Sequence, residues 1–452
     1  MIQAVVLQTA SDAQEVQMEL LIGRQEDHDR PEEITSITLE RLTVSDRRGF
    51  LKSTGLTALG AALGMAVPFG RHFPKGLVPA AFAQATGADL MSEKDGLTVH
   101  NDRPLNAETP AHLLDDDITP YSRLFVRANG LVPQSAFDKD AAGWTLTIDG
   151  EVENELSLTI DDLKNDFETV NLALVLECGG NGRAFFQPGA SGNQWTVGAV
   201  GCPQWTGVRL RDVLEKAGVK SSAVYTGHYG NDVDISGETD KVVISRGVPI
   251  EKAMEPEAMI AWAMNGEDIP ALHGFPLRLV IPGYPGSVSQ KYLTRIWIRD
   301  KEHDGPKMGG YSYRMPKYPV APGTEVPEED MEILTDMPVK SIITAPTTGA
   351  QVAPGQAVEV RGHAWAGNGD VKAMHISLDF GQTWQEAALE PAPNKYAWQR
   401  WRAEVTPPEQ GYYEVWARAT DMNDVTQPAV TPGWNPRGYG NNMIHRIALF
   451  AS

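Results

Sequence analysis

The chain reads as an α+β domain followed by an all-β sandwich, and three observations predict this. At 452 residues it exceeds what one hydrophobic core usually supports, so about two or three domains are expected. Strand-like and helix-like patterns alternate as far as Asp300. Beyond Met337 the chain breaks into short alternating stretches spaced by turns, with no long helical pattern between them.

Residues 1–83 read as an acidic leader (1–44) and an export signal. Ser45-Asp-Arg47-Arg48-Gly-Phe-Leu-Lys52 precedes an uncharged stretch rich in Ala, Gly and Leu. Ala81-Phe-Ala83 then supplies the small-x-small pattern of a signal-peptidase site. Paired arginines, a weakly apolar core and that site describe a twin-arginine signal, which predicts a periplasmic protein. The apolar stretch is glycine-rich and broken by Pro68, so no stable membrane anchor is expected. Residues 84–119 read as a flexible N-terminal segment and 120–330 as the α+β domain.

Within that domain, Trp144-Thr-Leu-Thr-Ile-Asp-Gly150 alternates like a strand ending in a turn, and Thr159 is placed to cap a short helix. Residues 171–177 read as one buried strand, and 208–218 as an amphipathic helix closed by Gly218. Proline and glycine recur over 311–329, as in a linker. Residues 331–452 form the sandwich, built on Ile342-Ile-Thr, Val358-Glu-Val-Arg, residues 371–378, 398–405 and 412–419.

Composition excludes several function classes. A formal charge of −20 opposes non-specific nucleic-acid binding, and any anion site must be a local basic pocket. Two cysteines and no CxxC exclude cysteine-rich zinc sites and c-type haem attachment in this chain.

Three clusters carry chemistry. In Leu176-Glu-Cys178-Gly-Gly-Asn181-Gly-Arg183 a cysteine follows a strand, glycines allow close approach, and Arg183 can hold a thiolate or an anion. Thiolate suits a soft transition-metal centre. A buried inert cysteine, or a disulfide to Cys202, fits the same spacing. His273-Gly-Phe-Pro-Leu-Arg278, followed by a glycine-rich turn and Lys291, suits a phosphate-bearing cofactor or, more simply, turns with exposed basic residues. Trp434-Asn-Pro-Arg437-Gly-Tyr439 by itself fits a braced turn more readily than a ligand site.

Taken in order, these clusters resemble the sulfite oxidase family of molybdenum enzymes. The first resembles its molybdenum-ligand motif, and Trp205-Thr-Gly-Val-Arg-Leu-Arg-Asp-Val-Leu214 resembles the tryptophan-led helix that follows it. The second resembles the molybdopterin phosphate site, and the third a second-domain motif that reaches the active site. The resemblance implies a sulfite-oxidase-type molybdopterin-binding domain followed by an immunoglobulin-like dimerisation domain. It implies molybdenum held by Cys178, an anionic substrate bound by Arg183 and Arg437, and an active-site tyrosine at Tyr311 or its neighbour Tyr313. His273, Arg278 and Lys291 would contact the cofactor phosphate, with Arg127 and Asn129 in a cofactor-binding turn. Two departures stand out: the turn reads Arg127-Ala128-Asn129 where the family carries Arg-Asn-His, and Thr145 stands where it carries an arginine. The lost charge at Thr145 is read against plain sulfite as sole substrate.

Phe185-Phe-Gln-Pro188 and Val200-Gly-Cys202-Pro203 are similar to the sulfane dehydrogenase branch of the family. That likeness implies a haem-free molybdenum subunit of a thiosulfate-oxidising system. Its implied partners are a dihaem c-type cytochrome as acceptor and a sulfur-carrier protein as substrate, in a homodimer or heterotetramer joined through the C-terminal domain. Cys202 is open between a structural role, a second thiol near the pocket and a gate for the carrier. Alternatives are a free-sulfite dehydrogenase, a nitrate or sulfoxide reductase, and a non-catalytic carrier or assembly subunit. The last would not need Cys178, Arg183, Arg278 and Lys291 together.

Overall fold

The computed structural model describes residues 90–238 and 240–452, all within one compact unit, Pro79–Ser452. The leader, the twin-arginine motif and the cleavage site lie outside the described residues.

From residue 90 the segment expected to be flexible is ordered. Strands Thr98–Asp102 and Leu105–Glu108 pair antiparallel, and the second pairs with Val126–Arg127. Its polar composition is misleading because the polar side chains are spent inward. Asn106 Oδ1 accepts from the Ala128 N–H at 3.0 Å and from Arg127, and Glu108 accepts from the N–H groups of Thr196 and Gly198. A buried polar residue with its partners in place avoids the cost of an unmade hydrogen bond, so a polar segment can still be packed.

Two sheets frame the α+β domain. In the first, Thr145–Gly150 pairs antiparallel with Leu156–Thr159 and parallel with Leu293–Arg299, which pairs with Tyr225–Gly230. In the second, Met259–Met264 pairs with Gln204–Arg209, Glu267–Asp268 and Arg278–Val280, and Gln204–Arg209 with Thr169–Ala173. Leu146, Ile148, Ile260, Leu279 and Ile296 fill one core with two helices. Ile160–Asp166 starts at Thr159 with a capping box to Asp162. Leu210–Ala217 buries Leu210, Val213, Leu214 and Ala217 and stops at Gly218, whose φ of +70° favours glycine.

The expected single strand over 171–177 is two: Thr169–Ala173, then Leu176–Glu177 paired with Val200–Gly201. Leu174 N–H turns to the Pro203 carbonyl and Val175 N–H to that of Tyr396 in the sandwich. This kink delivers the cysteine loop to the domain boundary.

The sandwich runs Lys340–Ala345, Val358–Trp365, Gln399–Val405, Gln385–Leu389, Val371–Ser377, Gly411–Asp421, His445–Ala451 and Ala350–Val352 in spatial order. Gln385–Leu389 pairs with both Val371–Ser377 and Gln399–Val405, joining the two faces. Trp401, Val360, Met374, Ile376, Val415 and Leu449 fill the space between them.

Candidate active site

The cysteine loop is built from both domains. Glu177 is buried and accepts from Lys340 Nζ (2.6 Å), Asn181 Nδ2 (3.0 Å) and Trp365 Nε1 (2.9 Å); Lys340 and Trp365 belong to the sandwich. Lys340 Nζ also donates to the Asn181 carbonyl, and Asn441 Nδ2 to that of Gly182. Gly440 N–H donates to the Gly179 carbonyl at 3.1 Å. Five backbone and side-chain groups of the loop are therefore occupied, so Cys178 sits on a braced turn. At Gly180 any Cβ would collide with the Arg183 guanidinium, so only glycine lets that side chain fold back over the loop.

Cys178 opens into a cavity of about 620 Å³ counting its mouth. Arg127, Asn129, His273, Arg278, Lys291 and Tyr313 line the same cavity, so six residues from four separated stretches converge with the thiol. Arg127 is aimed by Asn129 Oδ1 (2.9 Å) and Asn106 Oδ1 (3.1 Å). Lys291 Nζ donates to the Leu272 carbonyl and Arg278 Nη1 to that of His273. Burial pushes the His273 imidazolium well down, aided by Lys94, Arg278 and Lys291. Burial also lowers Arg278 and Lys291, Asp232 opposing it at Lys291. Cations crowded out of water in this way are built to meet an anion.

Three expected placements change. Tyr311 does not line the cavity: its hydroxyl donates to the Val326 carbonyl and accepts from that N–H, closing the linker. Tyr313 takes the wall position, with a φ of +53°. Arg437 points its side chain to Ser191 Oγ at the surface, while its carbonyl accepts from Arg183 Nε at 2.5 Å. It therefore holds Arg183 by backbone. Arg183 itself is buried, its Nη1 donating to the Asn193 carbonyl. It lies behind the cavity lining, close enough to Cys178 and Tyr313 to interact electrostatically.

Thr145 is exposed opposite Thr159, off the cavity, so the missing arginine removes no charge from this pocket. Cys202 is a free, fully buried thiol packed with Trp365 and Trp398 at the domain boundary. Burial pushes it up to about 12. It forms no disulfide with Cys178 and packs as a small apolar residue.

Sequence reasoning missed Lys94 and Asp232. Lys94 Nζ donates to the Tyr121 and Leu124 carbonyls and lies 2.8 Å from His273 Nε2. No local signal marks it, because it comes from the stretch read as flexible. Asp232 is charge-coupled to Lys291.

Comparison with known proteins agrees with this geometry. The oxidoreductase molybdopterin binding domain matches residues 130–307, and the Mo-co oxidoreductase dimerisation domain matches residues 331–451. Mitochondrial sulfite oxidase of Homo sapiens is 34% identical over 385 residues, spanning 81% of this chain and 68% of that protein.

The chain belongs to the sulfite oxidase family.

Like other members of that family, it is a molybdopterin-dependent oxidoreductase with a sulfite-oxidase-type catalytic domain and a C-terminal dimerisation domain. The crystal structure of the sulfane dehydrogenase SoxCD from Paracoccus pantotrophus superposes with a TM-score of 0.63 at 26% identity. It covers 84% of this chain and 93% of that one. The NADH nitrate reductase of Ulva prolifera is 30% identical over 76% of this chain, which spans 42% of that protein.

The residues present fit the family cofactor. Arg278 Nε and Ser287 Oγ are buried at the cavity without a hydrogen-bond partner, as donors awaiting an acceptor. Among the described residues no group of three or more His, Cys, Asp or Glu converges as a metal site. Cys178 would be the protein donor for the metal, with the cofactor supplying the other ligands. Arg127, Asn129, His273, Arg278, Ser287 and Lys291 would hold its anionic end.

Proposed function

We propose that this chain oxidises a sulfur substrate, carrier-bound sulfane or sulfite, in the periplasm and passes the electrons to a c-type cytochrome during thiosulfate oxidation. The convergence of Cys178 with Arg127, Arg278, Lys291, His273 and Tyr313 on one cavity carries the reading. Likeness to the sulfane dehydrogenase SoxCD favours a carrier-bound substrate, and the sulfite oxidases at 33–34% identity favour free sulfite. The paired arginines Arg47-Arg48 support export, and a homodimer or heterotetramer is proposed through residues 331–451.

When bound, the molybdenum centre supplies a two-electron acceptor suited to oxygen-atom transfer. The chain's own contribution is positional and electrostatic. Cys178 would hold the metal from a braced loop, so little reorganisation would be needed at that ligand. Arg183 keeps a positive charge beside Cys178 and Tyr313, its Nε and Nη1 tied to carbonyls so that it cannot swing away. Tyr313 presents its phenol at the cavity wall, where it can hold a proton or donate to a substrate oxygen.

Purified holoenzyme should contain about one molybdenum per chain and reduce cytochrome c with a sulfur donor. Sulfite and carrier-bound sulfane, assayed side by side, identify the substrate. Activity only with reduced dye and nitrate or a sulfoxide would replace this reading with a reductase, and metal-free material from a competent host would end it.

A further inference from the structure

Arg246 has no part in the site as described, yet its setting is anomalous. It lies two residues from Ile244, a wall residue of the cavity, and is 1% exposed. Its Nε and Nη1 are buried with no hydrogen-bond partner. Among the described residues it forms no ion pair with a carboxylate, and Tyr313, Tyr225 and Tyr439 are the groups that chiefly favour its charge.

Its guanidinium stacks 4.5 Å from the centroid of the Tyr313 ring. Tyr313 stacks in turn on Tyr439 (5.3 Å, 17°), and Arg183 lies 5.3 Å from the Tyr439 ring. The result is a ladder of cation, ring, ring and cation, and Tyr313 is the rung exposed to the cavity. A ring face offsets only part of the cost of a dry arginine and satisfies none of its in-plane N–H groups. Such a charge persists where it meets an opposite charge in the working state. Tyr313 also holds a positive φ, which bulky residues adopt at functional sites.

We infer that Arg246 is a specificity-determining residue, a cation without an ion-pair partner stacked on one face of Tyr313, whose charge favours an anionic sulfur substrate at the cavity edge of that ring. In a water-poor setting a charge acts across this distance without contact. The inference rests on the proposed oxidation of a sulfur anion.

The test uses holoenzyme with the Arg246→Met and Arg246→Lys substitutions. Removing a buried unpaired charge favours folding, so Arg246→Met should melt no lower than the native protein in chloride buffer. Its KM for sulfite or the carrier anion, and the inhibition constant for inorganic sulfate, should rise about tenfold or more, with kcat changed far less. Sulfate at matched ionic strength should raise the melting temperature of the native holoenzyme and not that of Arg246→Met. Arg246→Lys, keeping the charge, should recover most of both effects. A fall in kcat with KM and sulfate binding unmoved would overturn the inference in favour of a merely structural brace for Tyr313. So would sulfate acting equally on native and Met proteins. If the native holoenzyme oxidises no sulfur donor, the proposed function fails instead.

Discussion

Cys178 is one atom in a braced turn, and its consequences separate cleanly from folding. It is 7% exposed and its N–H donates to the Ala199 carbonyl, a bond that serine keeps. Cys178→Ser should therefore fold normally by circular dichroism, while turnover falls well beyond the ~10–100-fold cost of losing a group behind a ligand. Full activity in that variant would refute the ligand assignment. The two tyrosines make a paired experiment. Tyr313→Phe removes the phenol at the cavity wall and should lower kcat about a hundredfold. Tyr311→Phe removes a hydroxyl that ties the linker through Val326, so it should cost about 1 kcal/mol of stability and leave kcat within about twofold. Equal kinetic losses in both would remove Tyr313 from the site. A two-residue spacing in a proline- and glycine-rich stretch carries no periodicity; the tertiary partners, Val326 for Tyr311 and Arg246 with Tyr439 for Tyr313, distinguish the two rings.

At the scale of elements, the loop 176–183 shows why Glu177 and Asn181 accompany the cysteine. They do no chemistry at the cavity; they bind the loop to Lys340 and Trp365 of the sandwich. The Lys340–Glu177 pair is buried on both sides, at 7% and 2% side-chain exposure. Lys340→Ala leaves an uncompensated carboxylate and should cost about 3–5 kcal/mol in urea unfolding. Lys340→Met combined with Glu177→Gln should recover much of that loss. If the single variant unfolds at native denaturant concentrations, the bridge is not what joins the two domains. Helix caps, strand alternation and the sandwich strands were legible because local chemistry dictates them. The hairpin over 98–108 was not, since its polar residues meet their partners about 90 positions away, at Thr196 and Gly198.

Across the whole molecule, burial rather than net charge governs the response to acid. Burial is the chief cause that lowers His228 and His363 to about 3 and His303 and His445 to about 4. An unfolded histidine titrates near 6.5, so the unfolded chain binds more protons between those values. The stability is fully present above pH 6.5 and is lost as pH falls toward 4 and 3. Each histidine should contribute on the order of 1–2 kcal/mol of loss between pH 6.5 and 5. Melting temperatures should accordingly drop between pH 7 and 5. A flat profile over that interval would show that these imidazoles are hydrated. His445 gives the clearest case, because its Nδ1 accepts from the Ile343 N–H and cannot do so once protonated.

Order along the chain, residue type and spacing were enough to name the family, the two-domain plan, the cofactor class and most of the residues around the cavity. They suffice because a metal ligand, its glycines and a phosphate-binding cluster must each be assembled within a few neighbouring positions. Which tyrosine forms the wall, that Arg437 serves through its carbonyl, that Thr145 is remote and that Lys94 and Arg246 are buried cations emerged only on folding. Each depends on distances between segments far apart in the chain, and no local pattern encodes such a distance.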